Sequence, residues 1–315
     1  MIKILLIDSN HSVLHETFQR VGFHCDLFWD KPKEELINLI PEYDGIVIRS
    51  KFKITKQIID SATKLKCIGR AGAGMENIDV AYAQSKGIVS VHAPEGNRDA
   101  VAEHILGMLL MLLNNLKQAD AEVRRGIWKR HENRGVEMGG KTIGIIGYGN
   151  MGSAFAQRLQ GFNCKILVYD KYKKGFGNAF VKESTMEEIF SEADILSLHV
   201  PLTEETNYMV NADFIKRFKK NIYIINSSRG KCLNSSDLTE AMKSGKVSGA
   251  CLDVLEYESV SFENLDSTGL PEAMQFLIKS DKVVLSPHIA GWTHESNYKI
   301  SKIIAEKMIE VLKKA

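Results

Sequence analysis

The stretch from Lys141 to Asp170, KTIGIIGYGNMGSAFAQRLQGFNCKILVYD, restricts what this chain can fold into more than any other. An apolar run, Ile143 to Ile146, enters a loop holding Gly147, Gly149 and Gly152. A helical segment follows to about Gly161, and a second apolar run, Ile166 to Tyr169, ends on Asp170. Strand, glycine loop, helix and strand in that order predict a βαβ unit with a dinucleotide fingerprint. Gly147 permits the tight turn, Gly149 lets a pyrophosphate approach the backbone, and Gly152 lets helix and strand pack closely. The phosphates would lie on the free N–H groups and positive dipole end of the helix that begins near Asn150. Asp170, 18 residues beyond Gly152, is placed to accept hydrogen bonds from the adenosine ribose hydroxyls and to repel a 2′-phosphate. The expected cofactor is therefore NAD over NADP. Glycine turns that merely join a strand to a helix are common; here both strands, the helix and the terminal acid are all present.

At 315 residues, 44% of them hydrophobic and 25% charged, the chain can bury cores for about two domains. Lysine plus arginine number 41 against 39 aspartate plus glutamate, a formal net charge of +2, so global electrostatics favours neither nucleic acid nor an anionic membrane. The cysteines (Cys25, Cys67, Cys164, Cys232, Cys251) are odd in number, widely spaced and mostly inside apolar runs, with no metal-binding spacing. They read as buried small hydrophobes in a reducing cytoplasm, and no metal is expected. The start, MIKILLIDSN, is apolar for too few residues to be a signal peptide, and the longest apolar patch, Ile105 to Leu113, is about half of a membrane span. A soluble cytoplasmic protein is the expectation.

Residues 2 to 91 alternate strand and helix: strands at Ile2 to Ile7, Cys25 to Phe28, Ile46 to Ile48, Leu65 to Gly69 and Ile88 to Val91, helices from about Ser12, Lys33, Thr55 and Ile78. Alternation at this spacing predicts a parallel sheet with helices on both faces, an α/β domain complete before the glycine fingerprint of a second one. Between them, Pro94 to Asn97 form a turn and Val101 to Leu116 an unusually apolar helix, which is either a core helix or an interface. Residues 117 to 140 are polar and basic and read as an extended arm. After Asp170 the alternation resumes through strands at Ile195 to Leu198, Ile222 to Asn226 and Gly249 to Leu252, a poorly periodic stretch from Glu256 to about Ser280, a strand at Val283 to Leu285, and a long amphipathic helix from about Glu295 to Lys313. That last helix could pack back on the first domain.

A nicotinamide site needs polar groups at the carboxyl ends of strands, near the reversal of strand order. Those ends offer His199 and Pro201, Ser227 and Arg229, Asp253 and Glu258, and His288. Arginine grips a 2-keto acid's carboxylate through a bidentate fork; histidine gives a proton to the carbonyl oxygen as hydride arrives, and a carboxylate orients it. Singly, each has a plainer explanation: His288 as a cap on the last helix, Arg229 as a surface cation, Glu258 as one more acid in an acidic loop. Together they suit hydride transfer.

The motifs GRAGAGMENID (Gly69 to Asp79), HVPLT (His199 to Thr203), NSSRG (Asn226 to Gly230), GACLDVLEYE (Gly249 to Glu258) and SPHIAGWT (Ser286 to Thr293) resemble, in order and spacing, the D-isomer-specific 2-hydroxyacid dehydrogenases over nearly the whole chain. The resemblance implies two Rossmann-like or flavodoxin-like doubly wound parallel-sheet domains, with the nucleotide domain inserted in the substrate domain. Residues 1–96 and 292–315 would form the substrate-binding part. Residues 97–291 would form the NAD-binding part, including a dimerisation helix and arm at about 101–140. By motif, Arg229 would bind and polarise the substrate, His288 would be the general acid/base, and Glu258 its partner. Gly147, Gly149, Asn150, Met151, Gly152, Asp170, His199, Val200, Pro201, Thr206, Ser227, Ser228, Asp253 and Ala290 would surround the cofactor, Asp253 tuning the site near the nicotinamide. Backbone amides at Ala71 and Gly72 would hold the substrate carboxylate.

Within the family, RSKFKITKQIID (Arg49 to Asp60), Asn97 and IWKR (Ile127 to Arg130) are most similar to short-form D-3-phosphoglycerate dehydrogenases, making Arg49 and Arg130 candidate phosphate ligands and Ser50 and Asn97 further substrate residues. Three features depart from the pattern: Ser259 replaces a proline and precedes a longer loop to residue 280, Ala100 replaces a serine, and no regulatory domain follows the last helix, so feedback through one is not expected. Hydroxypyruvate or glyoxylate reduction is the nearest rival activity, formate oxidation is disfavoured by Glu258, and a dinucleotide-sensing corepressor is the non-enzymatic alternative.

Overall fold

The computed structural model describes residues 1–258 and 269–314. The chain divides into two compact units, the described residues of unit 1 being 1–98 and 292–314 and those of unit 2 being 99–258 and 269–291. Unit 2 is thus an insertion in the sequence of unit 1. Ser259 and the following loop residues to 268, where the sequence departs from the family pattern, lie outside the described residues.

Unit 1 runs β1 (Lys3–Leu6), α1 (Val13–Arg20), β2 (His24–Leu27), α2 (Lys33–Leu39), β3 (Gly45–Ile48), α3 (Lys56–Ser61), β4 (Cys67–Arg70), α4 (Val80–Ser85) and β5 (Val89–His92). The strands pair in parallel in the order β2-β1-β3-β4-β5, the flavodoxin-like arrangement whose reversal lies between β1 and β3. A parallel sheet covered on both faces needs continuous apolar strands, and Ile46, Val47 and Ile48 of β3 are all fully buried.

The chain continues through α5 (Arg98–Leu113), α6 (Leu116–Arg124), β6 (Thr142–Ile146), α7 (Asn150–Arg158), β7 (Lys165–Tyr169), β8 (Val181–Glu183), α8 (Met186–Glu192), β9 (Ile195–Leu198), α9 (Ala212–Lys216), β10 (Ile222–Asn226), α10 (Ser235–Lys243), β11 (Val247–Leu252), α11 (Glu272–Lys279) and β12 (Val283–Leu285). The seven parallel strands lie in the order β12-β11-β10-β9-β6-β7-β8. Counted from β6, this is the doubly wound 3-2-1-4-5-6 order with one strand added, and its reversal falls between β6 and β9. Of the two readings open for the apolar helix, the core one accounts for most of its surface. Ile105, Met108, Leu109 and Leu112 of α5 pack with Ile143, Ile145, Ile166 and Val284 of the same unit's sheet.

Trp292 opens the return to unit 1, and α12 (His294–Lys314) covers one face of its sheet with Ile304, Ala305, Met308 and Leu312. Each of the larger side chains contributes about 2 kcal/mol by leaving water. None of the described helices is long and apolar enough to cross a membrane.

Three elements differ from the sequence expectation. The arm begins as the helix α6, held by the Arg124 to Asp120 ion pair at 2.7 Å and the Gln118 to Glu122 hydrogen bond at 3.1 Å, one turn apart in each case. The poorly periodic stretch contains α11, which buries Ala273, Met274 and Leu277. A short edge strand, β8, adds to the sheet beyond β7.

Candidate active site

The glycine loop stands where the strand order of unit 2 reverses, between β6 and β9. Gly147 has φ +94°, and a Cβ there would lie 2.5 Å from the His199 carbonyl oxygen; a Cβ on Gly152 would overlap the Gly147 carbonyl oxygen. These two positions must be glycine for β6, α7 and β9 to meet. Nothing lies within 4 Å of a Cβ placed on Gly149, the residue that precedes the first turn of α7, so the backbone there is open to a phosphate. Asn150 and Met151 supply that first turn.

Asp170 closes β7. Its Oδ2 accepts the Tyr148 N–H at 2.7 Å, and its Oδ1 accepts those of Tyr172 and Lys173 at 2.9 Å. Burial alone would raise the pKa of this carboxyl, but the three amides outweigh it and hold it below its ordinary value. Asp170 is therefore ionised throughout the physiological range and organises the loop beside the glycine turn.

After β9, the His199 ring is enclosed. Its Nε2 lies 2.8 Å from Ser197 Oγ, its centroid 5.6 Å from that of Phe155, and its Nδ1 is buried with no partner among the described residues. Burial pushes its pKa down to about 3, so the ring is neutral. Val200 packs beside Gly147, and Thr206 Oγ1 donates to the Pro201 carbonyl at 2.6 Å and accepts the Thr203 N–H at 2.7 Å, closing the loop after β9. At the end of β10, Ser227 Oγ is buried without a partner among the described residues. The open backbone at Gly149, the anionic Asp170 and the orphaned Ser227 hydroxyl fit a dinucleotide.

Arg229, Glu258 and His288 follow β10, β11 and β12, three neighbouring strands of one sheet. Buried Asn226 shapes the first turn: its Oδ1 accepts the Ser228 N–H at 3.1 Å and hydroxyl at 2.8 Å, and its Nδ2 donates to the Arg229 carbonyl at 3.0 Å. The Arg229 guanidinium reaches back to the Ser228 carbonyl at 2.6 Å. His288 sits in the left-handed region at φ +55°, a conformation that costs about 1 kcal/mol or more for a residue with a Cβ. Asp253 holds it there. Its carbonyl accepts the His288 N–H at 2.7 Å, and its buried carboxylate accepts the Ser286 hydroxyl at 2.7 Å and the Ile289 and Ala290 N–H groups at 2.9 and 3.0 Å. His104 of α5 completes the cluster, 2.9 Å from Ser286 Oγ. Glu258 lies 3.2 Å from His288 Nδ1. A carboxylate only accepts, so Nδ1 carries the proton of that bond.

In unit 1 the expected substrate residues gather at the carboxyl ends of β3 and β4. Arg49 donates its backbone N–H to Asp8 Oδ2 at 2.6 Å, and its guanidinium lies 4.0 Å from the ring centroid of Trp292, a cation–π contact worth about 1 kcal/mol. Burial lowers the Arg49 pKa and raises that of Asp8, each effect opposed by the attraction between them. The Ala71 and Gly72 amides are already donating, to the Ile48 and Arg70 carbonyls at 2.8 Å each, and the Arg70 guanidinium lies so close that a Cβ on Gly72 would overlap it. Asn97 Oδ1 is buried without a partner among the described residues in the turn before α5, whereas Arg130 is exposed in the irregular segment of unit 2 after α6. No group of three or more His, Cys, Asp or Glu among the described residues could hold a metal ion.

Residues 106–290 match the sequence model of the D-isomer specific 2-hydroxyacid dehydrogenase, NAD binding domain. The chain belongs to that family. A D-3-phosphoglycerate dehydrogenase of Archaeoglobus fulgidus is 34% identical over 99% of this chain and 58% of its own length. A hydroxypyruvate reductase of Thermotoga maritima is 36% identical over 89% of this chain and 88% of its own length. The chain spans 54 to 58% of three phosphoglycerate dehydrogenases that it matches. A D-lactate dehydrogenase of Aquifex aeolicus, solved with NAD and lactic acid, superposes with a TM-score of 0.82 at 27% identity, covering 99% of this chain and 96% of its own. Unit 2 is thus the NAD-binding domain of a 2-hydroxyacid dehydrogenase family member.

Five residues that shape these sites are not singled out by strand-end reading: Asp8, His104, Asn226, Ser286 and Trp292. Asn226 and Ser286 stand within motifs, and Asp8 ends the first apolar run, as Asp170 ends its own. Trp292 also stands within a motif, SPHIAGWT, but nothing in that motif pairs it with Arg49.

Proposed function

We propose that this protein transfers a hydride between NAD(H) and a 2-hydroxy/2-keto acid, with D-3-phosphoglycerate and 3-phosphohydroxypyruvate as the pair. The observation that carries the reading is the His288–Glu258 pair at 3.2 Å, on the same sheet edge as Arg229. In the reducing direction Arg229 grips the keto acid's carboxylate through its fork and polarises the carbonyl. Bound NADH supplies the hydride. His288 Nε2 gives its proton to the carbonyl oxygen as negative charge develops there, and Glu258, accepting from Nδ1, keeps the ring oriented. In oxidation the same Nε2 takes the hydroxyl proton. Gly147, Gly149, Asn150, Met151 and Gly152 hold the pyrophosphate, Asp170 the adenosine ribose, and Ser227 a polar edge of the cofactor.

The reading assigns the substrate phosphate to Arg49 and Ser50, with Asn97 and Arg130 as further ligands. It includes a cytoplasmic homodimer joined through residues 101–140 and a place in serine biosynthesis. Support for the dimer comes from exposed apolar side chains in that segment, Leu116, Val123, Ile127 and Trp128, the last 77% exposed. A second reading, hydroxypyruvate or glyoxylate reduction, is supported by relatives with those names that are 36% and 35% identical over 88% and 85% of their own lengths.

The experiment is NADH oxidation with 3-phosphohydroxypyruvate, hydroxypyruvate, glyoxylate, pyruvate and 2-ketoglutarate side by side. A preference for the phosphorylated acid above about 100-fold in kcat/KM, roughly 2.7 kcal/mol, supports the first reading. Preference for hydroxypyruvate or glyoxylate selects the second, and no turnover on any of them refutes both.

A further inference from the structure

Trp292 is the first residue of unit 1 after the chain leaves unit 2, and it is 65% exposed. A tryptophan left so open is unusual unless one of its faces has work to do. Its ring contact among the described residues is the guanidinium of Arg49, 4.0 Å from the ring centroid. Among the described residues no oxygen accepts a hydrogen bond from that guanidinium. The acid beside it, Asp8, accepts the backbone N–H of Arg49, and its charge offsets that of the arginine without capping the N–H fork. The pair stands at the carboxyl end of β3, beside the β1/β3 reversal where an open parallel sheet receives its ligand.

We propose that Trp292 is a positioning residue for an anion clamp. Its indole face fixes the plane of the Arg49 guanidinium so that the fork meets the substrate's phosphate without first losing rotamer freedom. Arg49 carries a long side chain with several rotatable bonds, and stacking on one face restricts it while leaving every donor edge free. A protein carboxylate in that place would fix the arginine equally well but would occupy the fork. The inference rests on the phosphorylated-substrate reading given above.

The test compares Trp292→Leu, which keeps apolar bulk and loses the π face, with Trp292→Phe, which keeps an aromatic face. Both are assayed as full-length enzyme with 3-phosphohydroxypyruvate and with hydroxypyruvate, beside Arg49→Ala. NADH affinity serves as the control for folding. Trp292→Leu is expected to raise KM for the phosphorylated acid about 10-fold while kcat, and KM for hydroxypyruvate, stay within about 3-fold of wild type. Trp292→Phe is expected to restore most of the loss. If both variants match wild type while Arg49→Ala abolishes the preference, the role of Trp292 is overturned and the substrate reading stands. If Trp292→Phe is as impaired as Trp292→Leu, the ring face is not what matters, and the proposal fails. If the wild-type enzyme shows no preference for the phosphorylated acid, the substrate reading falls and takes this inference with it.

Discussion

The enclosed imidazole of His199 should make the stability of the protein depend on pH in a way that a single substitution removes. Its pKa is about 3 in the folded chain against 6.5 as a free side chain. Below pH 6.5 the unfolded chain takes up a proton that the folded chain refuses, so this group's contribution is complete above that pH and is lost as the pH falls toward 3. At pH 4.5, two units below the unfolded value, the loss is about 2.7 kcal/mol at 1.36 kcal/mol per unit. Replacing His199 by Phe deletes the titrating group and leaves Ser197 Oγ without its ring partner, a penalty of about 1 to 3 kcal/mol that does not vary over this range. Urea denaturation of both proteins at pH 7.5 and 4.5, extrapolated linearly, gives the comparison. The stability gap between wild type and variant should shrink by about 2.7 kcal/mol on going to pH 4.5. Carboxylates common to both proteins cancel in that difference. A gap that stays constant between the two pH values would refute the claim that His199 is held neutral by burial.

His288→Ala should leave NADH affinity near wild type and lower kcat by about 10²- to 10⁴-fold, the scale of a positioned acid/base; wild-type turnover in steady-state assays would remove His288 from the mechanism. Asp170→Ala should narrow the preference for NADH over NADPH and also weaken NADH itself, because the Tyr148, Tyr172 and Lys173 amides lose their acceptor; titration with both cofactors checks this, and an unchanged ratio would mean that Asp170 does not reach the ribose. Gly152→Ala should raise KM for NADH, since the new Cβ would overlap the Gly147 carbonyl oxygen and force the loop to shift; unaltered NADH kinetics would show that the loop yields at no cost.

Much of this architecture is legible in the chain because parallel strands covered on both faces must be unbroken apolar runs. Ile195–Leu198, Ile222–Asn226 and Val283–Leu285 fall where those runs predict. The glycine fingerprint is legible for a harder reason, that two of its three glycines meet backbone oxygens that no side chain tolerates. What escapes the sequence reading is held by other forces. An ion pair and a hydrogen bond, each one turn apart, brace α6 while its apolar Leu116 and Val123 stay exposed, and α11 spends its three buried residues within two turns, too short a pattern to stand out in a polar stretch. β8 is three residues at a sheet edge. The pairing of Trp292 with Arg49 joins residues from opposite ends of the chain, and neither carries local evidence of the other.

The insertion also has a consequence for how the protein is made. One face of the first sheet is sealed by α12, whose Met308 packs against the bare backbone of Gly45 and Gly69. A ribosome delivers β1 to β5 well before that helix, with the whole of unit 2 in between. Until α12 emerges, Ile4, Leu6, Val47 and Cys67 have only Leu14 and Phe18 of α1 and Phe23 for cover on that side, so the nascent chain carries a sticky, half-built sheet for the time it takes to synthesise about two hundred residues, on the order of ten seconds or more. A stop codon upstream of Ile304 would therefore do more than shorten a helix; it would leave the earliest-made part of the molecule permanently unfinished, a substrate for chaperones and proteases rather than a smaller enzyme.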